Sequence, residues 1–433
     1  MRILAAVVLM ASVSTPALAQ ASRDTLGDAV DSAIANNPTL MAQRKVRGVA
    51  DEVLTQAKAE MGPQISLAGS FGINQSDIGR QISSPAGSFP EDGNSQRSQV
   101  GLEARQSIWS GGSLTAQAEL ARAGVDASQA RLINAEQDTI LSVVTAFMDV
   151  RRSEREMEIR ETNVASLREQ VRAASDRFDV GEVTRTDVSQ AQAQAAASES
   201  DLATARANQA RARAVYEQIV GRPPIQLAEP PPAPQLPGTL EEAVATARVG
   251  NPQLLAAQAE EKQGERGVDV ARGQLAPRFD LVGNAGLTDT RYDDAFQDTN
   301  VGLVAEFKWP LFSSGLLQSR TRSSQLEADR ARYERMAVER QVTQQTTTAW
   351  HKVIAAREAI TASTSRVAAA EVALEGAMQE LAVGTRITLD VLDQERELLS
   401  ARLGQVDAER QAYIATHELL AAMGRLRPDS IAK

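Results

Sequence analysis

The sequence predicts a mainly α-helical chain that enters a membrane as part of a β-barrel, and three observations carry that expectation. The chain is written twice, each copy contains two short segments of strict apolar–polar alternation, and each copy closes with a very long stretch free of proline. The duplication is read directly from the residues. LGDAVDSAIANNPTLMAQ from Leu26 returns as LEEAVATARVGNPQLLAAQ from Leu240, with Asn37-Pro38 answering Asn251-Pro252. PQISLAGSFG from Pro63 returns as PRFDLVGNAG from Pro277, and Phe147, Gly181, Asp187 and Gly221 pair at one spacing with Trp350, Gly384, Asp390 and Gly424. The chain divides accordingly into residues 1–19, a first repeat over 20–222, a linker over 223–238 and a second repeat over 239–433.

The first of these stretches is an export signal. Arg2, the apolar run Ile3 to Met10, Pro16 and the small-residue ending Ala17-Leu18-Ala19 have the layout of a cleaved secretory peptide, with Gln20 as the mature N-terminus. There is no cysteine, which excludes disulfides, thiol catalysis, thiolate metal ligands and an acylated N-terminal Cys, so no lipid anchor is expected. Beyond the leader no apolar run reaches the length of a transmembrane helix, which leaves a barrel as the way into a bilayer. The formal charge of −10 and the interleaving of Arg with Glu and Asp speak against a nucleic-acid partner.

Each repeat opens with a helix of moderate length, about Asp24 to Glu60 in the first copy. Strand pairs follow at residues 63–73 and 100–109, and again at 277–287 and 301–312. Ile65, Leu67, Phe71 and Ile73 alternate with Gln64, Ser66 and Ser70, and Val301, Leu303, Ala305 and Phe307 alternate with Glu306 and Lys308. One face is oily and the other wet, and a run of about ten residues is what a tilted strand needs to cross a bilayer. The polar stretches Asn74 to Gln99 and Thr288 to Asn300 read as water-facing loops on the far side. Trp109, Phe307, Trp309 and Phe312 gather where the second strand of each pair ends, a position suited to the headgroup belt. Four strands cannot close a barrel, and open edges are not viable in lipid, so the chain must oligomerise.

The long stretches predict rods. The helix from Ser113 to about Asp176 would run roughly 95 Å, far more than a globular core requires. On the returning helix Val188, Ala191, Ala195, Ser198, Leu202, Ala205, Gln209, Ala212, Tyr216 and Ile219 keep a three-four spacing, the mark of a left-handed coiled coil with a mostly small-residue seam. Each rod therefore turns back on itself, with tips near 179–187 and 382–390 and Gly181 and Gly384 supplying the reversal. Thr388 reads as the cap of the second returning helix, and Asp390 sits near its start, where the helix dipole favours an acid. RPPIQLAEPPPAPQLPG, from Arg222, favours an extended strap between the copies.

The duplicated plan, the paired Asn-Pro motifs and GTRITLDVLD at Gly384 to Asp393 resemble the TolC-type outer membrane efflux protein family across essentially the whole mature chain. That resemblance implies a homotrimer in the outer membrane of a Gram-negative bacterium, with four strands per chain making a twelve-stranded barrel in the outer membrane lipid. A periplasmic coiled-coil barrel of helices continues it. It further implies an exit duct for efflux or type I secretion, joined through a periplasmic adaptor to an inner-membrane pump of RND, ABC or MFS type.

Residue by residue, the resemblance assigns Asp390 and Asp393 to acidic rings at the periplasmic constriction. It assigns Arg386 and Thr186 to a bond between neighbouring hairpins. Asp187 matches a second acceptor in this gating network, whose tyrosine partner is replaced by Leu381. No enzyme is expected: His351 and His417 lie in separate helical runs, and no phosphate-binding loop, metal-ligand set or cofactor motif is present. A periplasmic coiled-coil adaptor is the alternative, and the four membrane-length segments weigh against it. The substrate, whether drug, metal or protein, stays open.

Overall fold

A computed structural model describes residues 24–84, 87–291 and 295–431, so the leader expected over 1–19 lies outside the described residues. Where one opening helix is expected there are two, α1 (Leu26–Asn36) and α2 (Pro38–Ala59). Asn37 causes the break. Its backbone is extended, its side-chain oxygen accepts from the Thr39 and Leu40 amides at 2.9 and 3.3 Å, and Pro38 takes the first helical position, where its missing N–H is not needed. Asn251 does the same between α5 (Leu240–Gly250) and α6 (Pro252–Gly273), and its Nδ2 donates to the Ala422 carbonyl at 2.9 Å. Asn37 Nδ2 reaches the Ile219 carbonyl in the same way. Each Asn-Pro elbow is thus tied to the far end of its own repeat's returning helix.

The sheet comprises β1 (Gln64–Ser84), β2 (Gly87–Trp109), β3 (Arg278–Arg291) and β4 (Ala295–Lys308), antiparallel throughout in the order β1-β2-β3-β4. The middle pairing, β2 with β3, joins the two repeats. The polar stretches expected as loops are paired backbone instead: β1 and β2 stay in ladder from Gln64↔Arg105 to Ser84↔Gly87, with one irregularity between Ile78 and Gln81. These stretches lack alternation in their sequence, and it is the backbone ladder that carries their pairing. β4 stops at Lys308, short of the expected 312, because Pro310 has no N–H to donate.

Register puts the oily residues on one face. Leu67, Leu102, Ala285 and Val301 form one cross-strand row, and Ile65, Ala104, Gly283 and Leu303 the next. Leu67 and Leu303 are 73% and 72% exposed, and no helix covers this face among the described residues. The opposite face carries charge: Arg105 Nη1 lies 3.1 Å from Glu306 Oε2 and 3.7 Å from Asp280 Oδ2, and Arg278 closes on Asp280 at 2.9 Å. A soluble sheet would bury the first face and expose the second. Here the wet face holds an ordered ion network and the oily face lies bare, which suits lipid outside and water inside. β1 and β4 are left as open edges.

The rods are α3 (Ser113–Asp179) and α7 (Leu316–Ala382), 67 residues each and so about 100 Å long, returning as α4 (Arg185–Val220) and α8 (Thr388–Ala422). Matching lengths in the two copies, 11, 22 and 67 residues for the three leading helices, make the duplication structural as well as sequential. The seam behaves as its spacing predicts: Ala191, Ala195, Ser198, Leu202, Ala205 and Tyr216 of α4 are buried against α3. The main core forms midway along the rods, where Leu26 and Val30 of α1 meet Phe147 of α3, Tyr216 of α4, Val353 of α7 and Leu419 of α8. The strap is pinned there too, since Asp24 accepts from Tyr216 Oη at 2.9 Å, pairs with Arg222 and bridges to Leu227. Burial and the bond to Asp24 push the Tyr216 phenol above its ordinary range.

Candidate functional site at the helical tips

Both rods end in the same reversal. At the first tip Gly181 has φ +81°, its N–H bonds to the Phe178 carbonyl at 2.9 Å, and Glu182 N–H bonds to Arg177 at 2.9 Å. At the second, Gly384 has φ +77°, its N–H bonds to Leu381 at 3.1 Å, and Thr385 N–H bonds to Glu380 at 2.9 Å. This is the Schellman arrangement, which satisfies the last carbonyls of a helix with a left-handed residue just beyond it. Nothing lies within 4 Å of where a Cβ would stand on either glycine, so backbone conformation and not space demands glycine at both.

The returning helices start differently. Thr184 caps α4 in a complete box, its hydroxyl taking the Asp187 amide at 3.3 Å while Asp187 Oδ2 accepts from the Thr184 N–H and hydroxyl, both at 2.8 Å. In α8 the N-cap is Ile387, and Thr388, expected as the cap, is the first helical residue and makes no capping bond. Sequence position alone misleads here, because the cap lies three residues before the acid, at 387. The consequence falls on the aspartates. Asp187 is committed to its own helix, whereas the Asp390 carboxylate has no hydrogen bond or ion pair among the described residues. Asp393 pairs with Arg396 at 2.9 Å.

The other expected gate residues take these places. Arg386 Nε lies 2.5 Å from Glu380 Oε2 across its own turn, Thr186 is exposed, and Leu381 is half-buried. Within one chain Arg386 therefore bonds inside its own hairpin, and not to Thr186 or Asp187. Above the tip, Leu392 packs with Leu167 and Ala174 of α3 and Ala191 of α4, which locks the second hairpin onto the first. The next residue on that face is Glu395, 5% exposed, with Oε1 accepting from Ser166 of α3 at 2.6 Å and Oε2 buried without a hydrogen bond. Burial holds its carboxyl above the ordinary range, against the lowering pull of the neighbouring Ser166 and Gln170 side chains. Sequence reading passed over Glu395, although Val391, Glu395 and Leu398 keep the three-four spacing of a seam.

At the membrane end the aromatics divide. Trp109 and Phe307 are joined through Phe279, which stands 6.0 Å from the first and 4.9 Å from the second between ring centroids. Trp309 and Phe312 lie outside this ladder, exposed beyond the end of β4. Phe279 was legible only as a strand residue, and the β2–β3 pairing is what makes it the centre of the group.

The two histidines do not converge on a reaction centre. His351 is exposed, while His417 sits in the core with Nδ1 2.8 Å from the Tyr413 carbonyl and its ring 4.6 Å from the Tyr413 ring. Burial lowers the His417 pKa and pushes the Tyr413 phenol up to about 12.

Comparison with known proteins agrees with this architecture. The family model described as outer membrane efflux protein matches residues 29–222 and 243–425. The chain is 33% identical over 99% of its length to the outer membrane efflux protein BepC of Brucella suis biovar 1, covering 91% of that protein. It is 24% identical to the outer membrane protein TolC of Vibrio cholerae, with 94% of this chain and 92% of that one aligned. Among solved structures, the outer-membrane channel OprN superposes with a TM-score of 0.80 at 22% identity, over 92% of this chain and 89% of the other. The chain belongs to the outer membrane efflux protein family, a family of exit ducts.

Proposed function

We propose that three copies of this chain join β4 to β1 into one outer-membrane barrel and continue as a periplasmic tube of helices. The tube carries cargo out from an inner-membrane pump that a periplasmic adaptor docks onto the helical tips. The sheet carries this reading: its bare face is apolar, its charged face would line the lumen, and both edges await a partner. Four strands fall short of the eight from which single-chain barrels begin, and three copies supply twelve. As a passive duct the protein is not an enzyme, takes no cofactor, and leaves the choice of cargo to its pump. Export follows from the leader over residues 1–19, without lipidation.

At the inner mouth, three copies bring together Asp390 and Asp393 as a ring of six carboxylates, a constriction that favours cations. Asp390 is the better placed to face the lumen, since no cap or cation holds it. Arg386, released from Glu380, bonds Thr186 of the neighbouring hairpin in the closed tube. A charged hydrogen bond contributes about 1.5 to 3 kcal/mol, so three are comparable with the roughly 5.5 kcal/mol that carries a two-state equilibrium from one extreme to the other. The test is single-channel conductance in planar bilayers, which Arg386→Ser should raise. An unchanged conductance refutes the gate assignment.

A further inference from the structure

Among the described residues Glu395 is a charged side chain buried in the contact between α8 and α3 just above the tip, and no feature of a passive duct requires it there. It stands beside a cavity of about 210 Å³ between the two hairpins, lined by Ile159, Thr162 and Asn163 of α3, Leu374 of α7, and Leu398 and Arg402 of α8. A carboxylate in such a place is costly, because one oxygen has a single hydroxyl partner and the other has none. As a carboxylic acid it is neutral and can donate. The surrounding charges do not offset an ionised Glu395. Arg402, which lines the cavity, is committed to Glu371 of α7 at 2.8 Å. On α3 and α4 Arg168 pairs with Glu199 and Arg160 with Asp201, and on α8 itself Asp393 pairs with Arg396 and Glu397 with Arg366. The remaining neighbours from α3, Ser166 and Gln170, are neutral.

We propose that Glu395 is a positioning residue for the constriction: protonated, it latches the tip of α8, with Asp390 and Asp393, onto α3, and its ionisation frees that tip, so the duct opens more readily as pH rises. The inference rests on reading those two aspartates as the constriction. Its sign follows from linkage. The closed tip binds the proton more tightly than an open, solvated one, so protons favour closure, and that preference is lost as pH rises through the raised value.

The experiment is open probability of the full-length trimer in planar bilayers between about pH 5 and about pH 8. The unaltered chain should open several-fold more often at the upper end. Glu395→Gln, which stays neutral and can donate, should remain mostly closed with a flat profile. Ser166→Ala removes the bond that stabilises the carboxylate, and should extend the rise to higher pH. A Glu395→Gln profile that follows the unaltered chain, or a Ser166→Ala profile that does not move, overturns the latch. Reversal potentials of the Asp390→Asn and Asp393→Asn trimers separate the two claims: unchanged cation preference there defeats the constriction itself, whereas lost preference with an unaltered Glu395→Gln profile defeats the latch alone.

Discussion

Replacing Ile387 with Thr should give the second tip the cap that the first already has. Thr184 and Asp187 form a complete capping box, while the matching positions, Ile387 and Asp390, form none. Ile387 is 61% exposed, so its removal sacrifices little packing. A side-chain cap contributes about 1 kcal/mol, within a range of about 0.5–2. At that size, opening of the first turn of α8 becomes about five-fold rarer. The same change draws the Asp390 carboxylate back onto the N-cap amide and out of the proposed ring. Two readouts follow, slower hydrogen exchange of the amides from Thr388 to Val391 and a reduced cation preference, measured as reversal potential across a salt gradient. Slower exchange with an undiminished cation preference would show that Asp390 does not line the passage. Unchanged exchange would refute the capping argument itself.

Two further outcomes follow from the sheet and the core. Leu67→Lys puts a charge on the bare face of β1 and should cost about 2–4 kcal/mol at the bilayer midplane, read as loss of assembled protein from the outer membrane; Ser66→Lys, on the other face, should be tolerated. Because burial depresses the His417 pKa, the stability it contributes is complete above the ordinary value of 6.5 and is lost as pH falls through it toward the folded value. Melting temperature should therefore drop below about pH 6, and His417→Gln should flatten that drop.

Much of this fold was legible because its two periodicities are clean. Period-two alternation located all four strands, and the three-four spacing from Val188 to Ile219 located the α3–α4 seam, with Ala191, Ala195 and Leu202 buried as the spacing requires. What escaped has physical reasons. Asn37-Pro38 marks the repeat by recurring at Asn251-Pro252, but its part as cap and first-turn proline depends on local geometry, so the sequence shows one helix where the structure has two. The paired stretch from Asn74 to Gln99 has no alternation to detect, and its pairing rests on the backbone ladder. At the tips the capping threonine stands in only one copy: Thr184 caps α4, whereas Thr388 lies one residue too late to cap α8. Glu395 keeps seam spacing with Val391 and Leu398, but spacing alone does not name the surface that buries it, which is α3, more than two hundred residues away along the chain.

The central claim is closure of the sheet between copies, edge to edge. The chain contains no cysteine, so two introduced cysteines, one at Leu67 of β1 and one scanned along Val301, Leu303 and Ala305 of β4, report on that contact alone. After oxidation in outer-membrane fractions, one of the pairings should give dimers and trimers on a non-reducing gel and nothing larger. The absence of any crosslink at every pairing, or a ladder that continues past the trimer, would contradict a ring of three.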